Sequence, residues 1–379
     1  MSDGTDLRAE FLLDPEVTFL NHGSFGACPR EIMVRYQEWQ RELERQPVLF
    51  LARRLETLLA DARAALGVYV GADPDDLVFV PNATAGVNVA ARAVGLRAGD
   101  EVLTTDLEYG GLDLMWRHLC AQSGATYVRT PLELPLSSND EIVEAVWAGV
   151  STRTRVLFLS HHTSATALTL PVAELCGRAR DAGIRTIVDG AHVPGHLPLD
   201  LRALGADYYA ASCHKWLCAP KGAGFLHVRR ELQQDVHPLV ISWGYKGDDP
   251  PFATRHEWQG TRDPSAYLTV PAAIEWQQRH DWDSVRERCH GLARRAQLEL
   301  GLEALVPDTR HDLFGQMVAL RLPEEAPDDL KERLYDDFRI EIPVSERNGT
   351  RLIRASFQGY NDAGDLERLK GALSELLAR

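Results

Sequence analysis

Seven short apolar segments recur along the middle of the chain, and helical patterns separate most of them. The segments begin near residues 77, 101, 125, 155, 185, 207 and 224. Apolar runs that alternate with helical patterns are typical of parallel strands joined by helices, with both faces of the sheet covered. The last segment comes after its predecessor with only a short turn between them, so we expect it to run antiparallel. The pattern predicts a mainly parallel, doubly wound, seven-stranded sheet in an α/β fold.

Helical spacing also predicts two packing helices outside the sheet region. Leucine and alanine recur on one face from Leu51 to Leu66, and we expect Gly67 to end this helix. After Pro271, we expect one long helix from residue 272 to about residue 300. Neither helix carries residues to which we assign chemistry.

The order of these patterns predicts two domains. We place a large domain at residues 14–260 and a smaller α+β domain at residues 261–379. The last strand of the smaller domain is predicted at residues 351–356. An irregular arm within residues 1–30 is expected to pack with the smaller domain.

Composition narrows the class of protein and its partners. The chain has 379 residues, 45% hydrophobic residues and a net charge of -14, which is ordinary for a globular enzyme and disfavours nucleic acid or anionic membranes as partners. No apolar run approaches the roughly 18 residues that span a bilayer, and no signal peptide is evident, so we expect a cytoplasmic protein. The six cysteines form no CxxC pair, and we predict reduced thiols and no metal site.

The main candidate for chemistry is a lysine between two of the apolar segments. Within residues 207–228, a polar turn carries Ser212, His214 and Lys215 directly before Trp216. An ammonium group is costly to bury, and it escapes that cost through a lowered pKa or a covalent bond. An amine activated in this way is what forms a Schiff base with pyridoxal phosphate. The alternative is an ordinary turn lysine.

A carboxylate ends the strand that precedes this region. The segment from Thr186 to His192 reads as an apolar strand that ends on Asp189. In an open parallel sheet, the carboxyl ends of the strands face the ligand crevice. A carboxylate at that edge can keep the pyridine nitrogen of the cofactor protonated. A single such residue is commonly a cap or turn former, but together with Lys215 it is harder to explain in that way.

Eight sequence blocks resemble one enzyme family. In chain order they are LNHGSFGACP, PNATAGVN, DLEYGG, HHTSATALTLP, VDGAH with SCHKWLCAPKGAGFL, HPLVISWGY, WQGTRDPSAYL and RASFQGYN. They resemble the class V aminotransferase family of fold type I pyridoxal-phosphate enzymes, and within it the isopenicillin N epimerase-like branch. The resemblance implies pyridoxal 5'-phosphate as cofactor, a small-molecule amino-acid substrate and a homodimer with shared active sites. The same scaffold hosts several reactions, so the resemblance does not fix the reaction itself.

We assign the cofactor phosphate to a strand-to-helix turn. After the strand at residues 77–80, the small residues Ala83, Thr84 and Ala85 open a helix. Backbone N–H groups at the positive end of a helix are a natural phosphate site. An ordinary Asn or Thr cap is the alternative. By resemblance, Thr261 contacts the phosphate of the neighbouring subunit.

Further cofactor contacts are expected at other strand ends. Tyr109 is our candidate for a ring that stacks on the cofactor, with core packing as the alternative. By resemblance, Ser164 and His192 contact the phenolic oxygen or the ring, and Ser212 and His214 flank the lysine. Adjacent histidines at 161 and 162 do not predict a metal site, because neighbours on an extended chain point to opposite faces.

Substrate contacts are expected from the two ends of the chain. By resemblance, Asn21 and His22 in the N-terminal arm contact the substrate, although each is equally well explained by a simple turn. Arg351 and Arg354 lie three apart on one strand, so they face opposite sides. By resemblance, Arg354 grips the substrate α-carboxylate through two hydrogen bonds.

The type of reaction depends on the fate of the carbanion that loss of the Cα proton leaves. Reprotonation on the opposite face gives an epimer, protonation of a cofactor carbon gives transamination, and loss of a β-sulfur group gives a lyase reaction. Cysteine desulfurases need a cysteine shortly before the carboxylate-binding arginine, and residues 343–350 contain none. We rank an epimerase or racemase slightly ahead of a C–S lyase or desulfurase-like enzyme, with an aminotransferase as a further alternative. Epimerisation needs a second acid opposite Lys215, for which the candidates are Tyr109, His22, His162 and His192.

Overall fold

The computed structural model describes residues 4–378. Residues 1–3 of the predicted arm and residue 379 of the predicted smaller domain lie outside the described residues. The strands are β1 (Thr18–Phe19), β2 (Leu77–Val80), β3 (Glu101–Thr105), β4 (Thr126–Thr130), β5 (Thr154–Ser160), β6 (Arg185–Asp189), β7 (Tyr208–Ser212), β8 (Gly224–Val228), β9 (Glu303–Ala304), β10 (Met317–Arg321), β11 (Ile340–Glu341), β12 (Val344–Arg347) and β13 (Thr350–Ser356).

Helices connect most of the strands. They are α1 (His22–Phe25), α2 (Arg30–Arg45), α3 (Pro47–Leu49), α4 (Leu55–Val70), α5 (Ala83–Ala93), α6 (Gly110–Ser123), α7 (Asn139–Ala148), α8 (Val172–Asp181), α9 (Leu201–Leu204), α10 (Phe252–Glu257), α11 (Ser265–Leu268), α12 (Val270–Arg279), α13 (Trp282–Glu299), α14 (Leu330–Asp336) and α15 (Ala363–Leu377).

The large sheet has the predicted seven strands in the order β2-β8-β7-β6-β5-β3-β4. The neighbours among β7, β6, β5, β3 and β4 pair in parallel. Strand β8 is antiparallel to both of its neighbours, as the short turn before it predicted. Because the carboxyl ends of the parallel strands share one edge, Thr105, Ser160, Asp189 and Ser212 lie along that edge.

Both faces of the large sheet are covered by apolar side chains. Alternate residues of β2 show this, since Val78 packs in a core with Val87 and Trp116, whereas Leu77 belongs to the core on the opposite face. Burial on both faces explains why the strands read as continuous apolar runs rather than as alternating ones. The core thus fixes the strand ends that carry the polar residues.

A second sheet and the N-terminal arm form the other side of the site. The four-stranded sheet has the order β12-β13-β10-β9 and is antiparallel. Strand β1 pairs in parallel with β11, and Asn21 bridges to Ser356 at the end of β13. These contacts connect the arm to the strand that carries Arg354. The domain boundary at residue 261 stays a prediction.

Two predicted helix boundaries were wrong. Helix α4 begins at Leu55 because residues 50–54 wind as a π-helix, and it continues through Gly67 to Val70. Gly71 ends it in the left-handed conformation at φ 65°, which a glycine adopts at low cost. The predicted long helix is two helices, α12 and α13, because Asp281 between them has a φ of 47°.

Candidate active site

A pocket of about 210 Å³ lies at the carboxyl edge of the large sheet. Larger cavities lie elsewhere, such as one of about 590 Å³ beside Pro171 and Leu199, but chemistry rather than size identifies this site. The predicted cofactor residues among its lining are Ala83, Thr84, Tyr109, Ser164, Asp189, His192, Ser212, His214 and Lys215. Six other residues line it as well, namely Ser24, Phe25, Asn82, Ser160, His162 and Ala191.

Lys215 and Asp189 both line this pocket, where Asp189 is buried and Lys215 is partly exposed. Burial lowers the pKa of Lys215 to about 8, with Arg354 acting in the same direction and Asp189 against it. Burial raises the pKa of Asp189, while a hydrogen bond from the Ala191 N–H and the nearby charge of Lys215 lower it. A lysine with this pKa has an appreciable fraction of free amine near neutral pH, which is what attack on an aldehyde requires.

Two histidines contact Lys215, one at its amine and one at its backbone. His192 Nε2 lies 3.2 Å from Lys215 Nζ, on the side of the pocket. Behind the lysine, His22 Nε2 lies 3.1 Å from the Lys215 carbonyl oxygen, and its Nδ1 lies 3.0 Å from the hydroxyl of Tyr360. Gly26 also packs on this turn, and a Cβ there would lie 2.1 Å from the His214 carbonyl oxygen. The arm therefore holds the lysine-bearing turn in place.

The turn before α5 has the geometry of a phosphate site, with one revision. Asn82 caps the helix, and its Oδ1 accepts the Ala85 N–H at 2.9 Å. The Ala83 N–H donates to Ser212 Oγ at 3.3 Å. The expectation for Ala85 is corrected, because its N–H is already used by the cap and it is not among the pocket-lining residues. Ala83, Thr84, Asn82 and Ser212 lie at the pocket instead.

Arg354 is buried next to the pocket. Its Nη1 donates to the Ser164 carbonyl oxygen at 2.6 Å, and its Nη2 donates to Ser24 Oγ at 3.1 Å. Burial lowers its pKa to about 10, and its Nε is buried without a hydrogen-bond partner. Within residues 4–378, Arg354 forms no ion pair. A buried guanidinium without a carboxylate partner suits an anionic substrate group.

The other arginine of this strand faces away from the pocket. Arg351 donates to the carbonyl oxygens of Ala326 and Pro327, outside the pocket. The two arginines therefore lie on opposite sides of β13, as their spacing predicted.

Besides Ala85 and Arg354, three further predicted residues do not line the pocket. His22 lies behind Lys215 with both ring nitrogens engaged, so the expected substrate contact is corrected to a contact with the lysine-bearing turn. Asn21 donates to Glu341 Oε1 at 2.9 Å and lies beside Arg354, where it supports the anion-binding group. Thr261 is exposed on this chain, and its contact with a partner subunit stays a prediction.

Sequence reasoning missed several residues near the site. Ser160 ends β5 directly opposite Asp189 in the sheet register, and a polar residue at a strand end could have identified it. Glu108 precedes Tyr109 and accepts hydrogen bonds from the Ser160 N–H and Oγ and from Thr105 Oγ1. Burial raises the pKa of Glu108 to about 7. No local pattern distinguishes this buried carboxylate from an exposed one.

The residues at the pocket fit pyridoxal phosphate. An amine of lowered pKa faces a buried carboxylate, and a helix N-terminus of the eleven-residue helix α5 opens at the same pocket. His162 is buried, lines the pocket and has an Nε2 without a hydrogen-bond partner. The pocket thus offers an amine for the cofactor aldehyde, a carboxylate for its ring nitrogen and a helix N-terminus for its phosphate.

The fold and the pocket together define a fold type I pyridoxal-phosphate enzyme. The family model described as Aminotransferase class-V matches residues 28–369. The chain belongs to this family, and its cofactor is pyridoxal 5'-phosphate.

Comparisons with individual proteins agree with this family. An isopenicillin N epimerase of Amycolatopsis lactamdurans is 41% identical over 97% of both chains. A putative L-cysteine desulfhydrase 1 of Oryza sativa subsp. japonica is 31% identical over 98% of this chain and 86% of its own length. The apo structure of a cysteine desulfurase from Thermococcus onnurineus NA1 superposes with a TM-score of 0.85 at 22% identity, covering 100% of this chain and 99% of its own. That last likeness concerns the fold alone.

Metal-binding clusters and membrane-spanning helices are both absent from the described part of the chain. Among residues 4–378, no group of three or more His, Cys, Asp or Glu side chains is arranged to hold a metal ion. No helix in the same part is long and apolar enough to cross a bilayer.

Proposed function

We propose that the protein is an epimerase or racemase that acts at Cα of an amino acid or an amino-acid-derived substrate. The observation that carries this proposal is the presence of Lys215 and Asp189 at one pocket, in a chain 41% identical to an isopenicillin N epimerase over nearly its full length. An amine at Cα and a carboxylate for Arg354 are the substrate features that the pocket would recognise. We further propose a cytoplasmic homodimer that shares its active sites.

Each residue has a role that derives from its position. Bound pyridoxal phosphate supplies an aldehyde for an amine and a ring that withdraws electrons from Cα. Lys215 would hold the cofactor and would move the Cα proton, and Asp189 would keep a proton on the ring nitrogen. Tyr109, which is 47% exposed at the pocket, would supply an aromatic ring to stack on the cofactor. Arg354 orients the substrate by its carboxylate, which selects the Cα bond that breaks.

The cysteines argue against persulfide-forming desulfurase chemistry. Such chemistry requires a reactive, accessible thiolate. All six cysteines of the chain are buried, and residues 344–356 form the β12–β13 hairpin without a cysteine. Burial also raises the pKa of Cys28 and Cys176, each to about 12.

A C–S lyase is the second candidate. Its support is the 31% identity to a protein named as a putative L-cysteine desulfhydrase. A lyase needs no second proton-transfer group on the face opposite Lys215, whereas an epimerase does.

The hydrogen bonds reduce the candidates for that second group from four to two. His22 lies behind the lysine with both nitrogens engaged, and His192 contacts Lys215 itself. Tyr109 and His162 both line the pocket and are free to face a substrate. The test of an epimerase therefore includes variants of these two residues.

The experiment that separates the candidate functions monitors every fate of Cα at once. The purified protein with cofactor is incubated in deuterium oxide with L- and D-amino acids and with amino-acid-derived substrates that keep a free α-amine and α-carboxylate. We expect deuterium at Cα together with inversion, and little pyruvate, sulfide or ammonia. Release of pyruvate and ammonia with sulfide from cysteine would establish the lyase instead. Formation of a 2-oxo acid with loss of the visible cofactor band would indicate transamination.

A further inference from the structure

The side chains of Trp216, His192 and Lys215 contact one another in series beside the pocket. Trp216 Nε1 lies 3.3 Å from His192 Nδ1, and His192 Nε2 lies 3.2 Å from Lys215 Nζ. Trp216 and His192 are buried, whereas Lys215 is partly exposed at the pocket. This series of contacts runs from Trp216 through an imidazole ring to the amine.

The donor and acceptor chemistry fixes the direction of both hydrogen bonds. An indole N–H is a donor only, so His192 Nδ1 must accept from Trp216. Burial holds the pKa of His192 well below its usual value, so its ring is neutral and carries one proton. With Nδ1 as the acceptor, that proton lies on Nε2. His192 therefore donates to Lys215, and the amine must offer a lone pair.

The neighbouring histidine has a tautomer that is fixed in the same way. His196 Nδ1 lies 2.8 Å from the His192 carbonyl oxygen, which can only accept, so Nδ1 of His196 carries the proton. Its Nε2 then accepts the Gln316 N–H, at 2.6 Å. Burial lowers the pKa of His196 to about 3, which keeps this ring neutral as well.

The indole is held so that its N–H keeps this direction. The ring of His196 stacks on Trp216 with centroids 4.2 Å apart, and the ring of His22 lies 4.8 Å away. The Trp216 carbonyl oxygen accepts from Gln277 Nε2 at 2.8 Å. The side chain is fully buried.

We propose that Trp216 is a positioning residue that fixes the tautomer of His192 and thereby favours the free amine of Lys215 over its ammonium form. This inference rests on the proposed role of Lys215 as the cofactor-binding lysine, but not on which reaction takes place at Cα. The indole N–H contacts His192 rather than the amine, and Trp216 is not among the residues that line the pocket.

Other charged and titratable groups face the lysine and set the background of its titration. Asp189 on β6 favours the ammonium form, whereas Arg354 on β13 disfavours it. His22 contacts the backbone of the same residue, and His214 precedes it in the turn. Replacing Trp216 leaves all of these groups in place.

The substitution Trp216→Phe keeps an aromatic ring but removes the N–H. His192 Nδ1 can then take the ring proton, and Nε2 becomes an acceptor that stabilises the ammonium form of Lys215. We expect the pH midpoint for covalent uptake of pyridoxal phosphate by the apo protein to rise by about one pH unit. Below the midpoint, uptake would slow by about tenfold.

Two measurements read this out without an activity assay. Stopped-flow absorbance near the boundary of the visible and ultraviolet monitors cofactor uptake against pH. Nitrogen-15 NMR of the apo protein, with histidine labelled, reports the tautomer of His192. We expect the Nε2–H form in the wild type and the Nδ1–H form in W216F.

Trp282→Phe is the matched control. Trp282 is also a buried tryptophan, and its Nε1 donates to the Gly195 carbonyl oxygen at 2.7 Å, away from the lysine. We expect W282F to leave both the midpoint and the His192 tautomer unchanged. If W216F does not fold, the tautomer in the wild type alone decides, because an Nδ1–H form there overturns the proposal.

The possible failures are distinguishable. An unchanged midpoint in folded W216F overturns the role of Trp216 while leaving Lys215 as the cofactor lysine. If Lys215→Ala still takes up the cofactor covalently, the proposed function loses its lysine.

Discussion

At the scale of single residues, the amine of Lys215 is costly to enclose in its charged form. Its pKa of about 8 lies below the ordinary 10.5 because burial disfavours the charged form. At a pH below 8 the amine is charged in the folded and unfolded chain alike, so the folded protein bears the full free-energy cost of enclosing the charge. From pH 8 to 10.5 the unfolded chain binds the extra proton, and the penalty fades as pH rises.

The first prediction rests on the sign of this pH dependence. In the apo protein, Lys215→Met should raise the free energy of unfolding at about pH 7 by roughly 3 kcal/mol relative to the wild type. The gain should shrink steadily above pH 8. Urea unfolding of both proteins at several pH values measures this difference in the free energy of unfolding. A difference that grows with pH would contradict the idea that enclosure disfavours the charged amine.

Asp189 gives the second prediction. The change Asp189→Asn keeps the shape but removes the charge that would hold the ring nitrogen protonated. We expect exchange of the Cα proton to slow by about 100-fold or more, with the fold retained. Deuterium uptake monitored by mass spectrometry measures the rate. Circular dichroism of the variant serves as the control, and near-normal exchange in a folded protein would remove Asp189 from its assigned role.

The third prediction concerns the second proton-transfer group. If His162 serves, His162→Gln should lose inversion by at least about 100-fold and still exchange the Cα proton of one enantiomer, because Lys215 remains. Tyr109→Phe would behave this way if the hydroxyl serves instead. His161→Gln is the control, since His161 contacts Tyr209 and does not line the pocket. Normal inversion in both pocket variants would contradict the assignment of the second proton transfer to either residue.

At the scale of helices and strands, glycine position decides whether a Cβ is tolerated. Gly71 has a φ of 65°, and a Cβ there would lie 2.8 Å from Asp200 Oδ1, whereas a Cβ at Gly177 inside α8 would meet no atom within 4 Å. Gly71→Ala should destabilise by about 1–2 kcal/mol, and Gly177→Ala should stabilise by about 0.5–1 kcal/mol. Thermal unfolding of the pair measures this fourth prediction. Equal shifts in both variants would contradict the assigned C-cap of α4.

Helix and strand types were readable from the sequence where one physical rule dominated. Apolar runs between helical patterns identified all seven strands of the large sheet, because burial on both faces demands them. Boundaries were less predictable. Gly67 was predicted to end a helix but lies inside α4. A single glycine does not show whether the helix ends there or continues. Asp281 has a positive φ and separates two helices where the sequence pattern predicts one.

At the scale of the whole molecule, the proposed shared active sites give the fifth prediction. Lys215→Ala and Thr261→Ala should each impair cofactor use when they are present in both subunits. A heterodimer of the two variants would contain one site with both lesions and one site with neither. We therefore expect mixed subunits to regain up to about half of the wild-type activity. Light scattering establishes the dimer first, and no recovery on mixing would place Thr261 within its own subunit's site or outside the site.

The sequence alone was sufficient for the class of fold, the family and the cofactor, and it predicted Lys215 and Asp189 as the central pair. Periodic burial and strand-end chemistry are local properties, and eight ordered blocks carry the family resemblance. The tertiary structure decided which polar groups meet. It placed His22 behind Lys215, used the Ala85 N–H in a cap, and brought Glu108, Ser160 and the Trp216–His192 contact to the site. Hydrogen bonding and burial depend on residues far apart in the chain, and only folding brings those residues together.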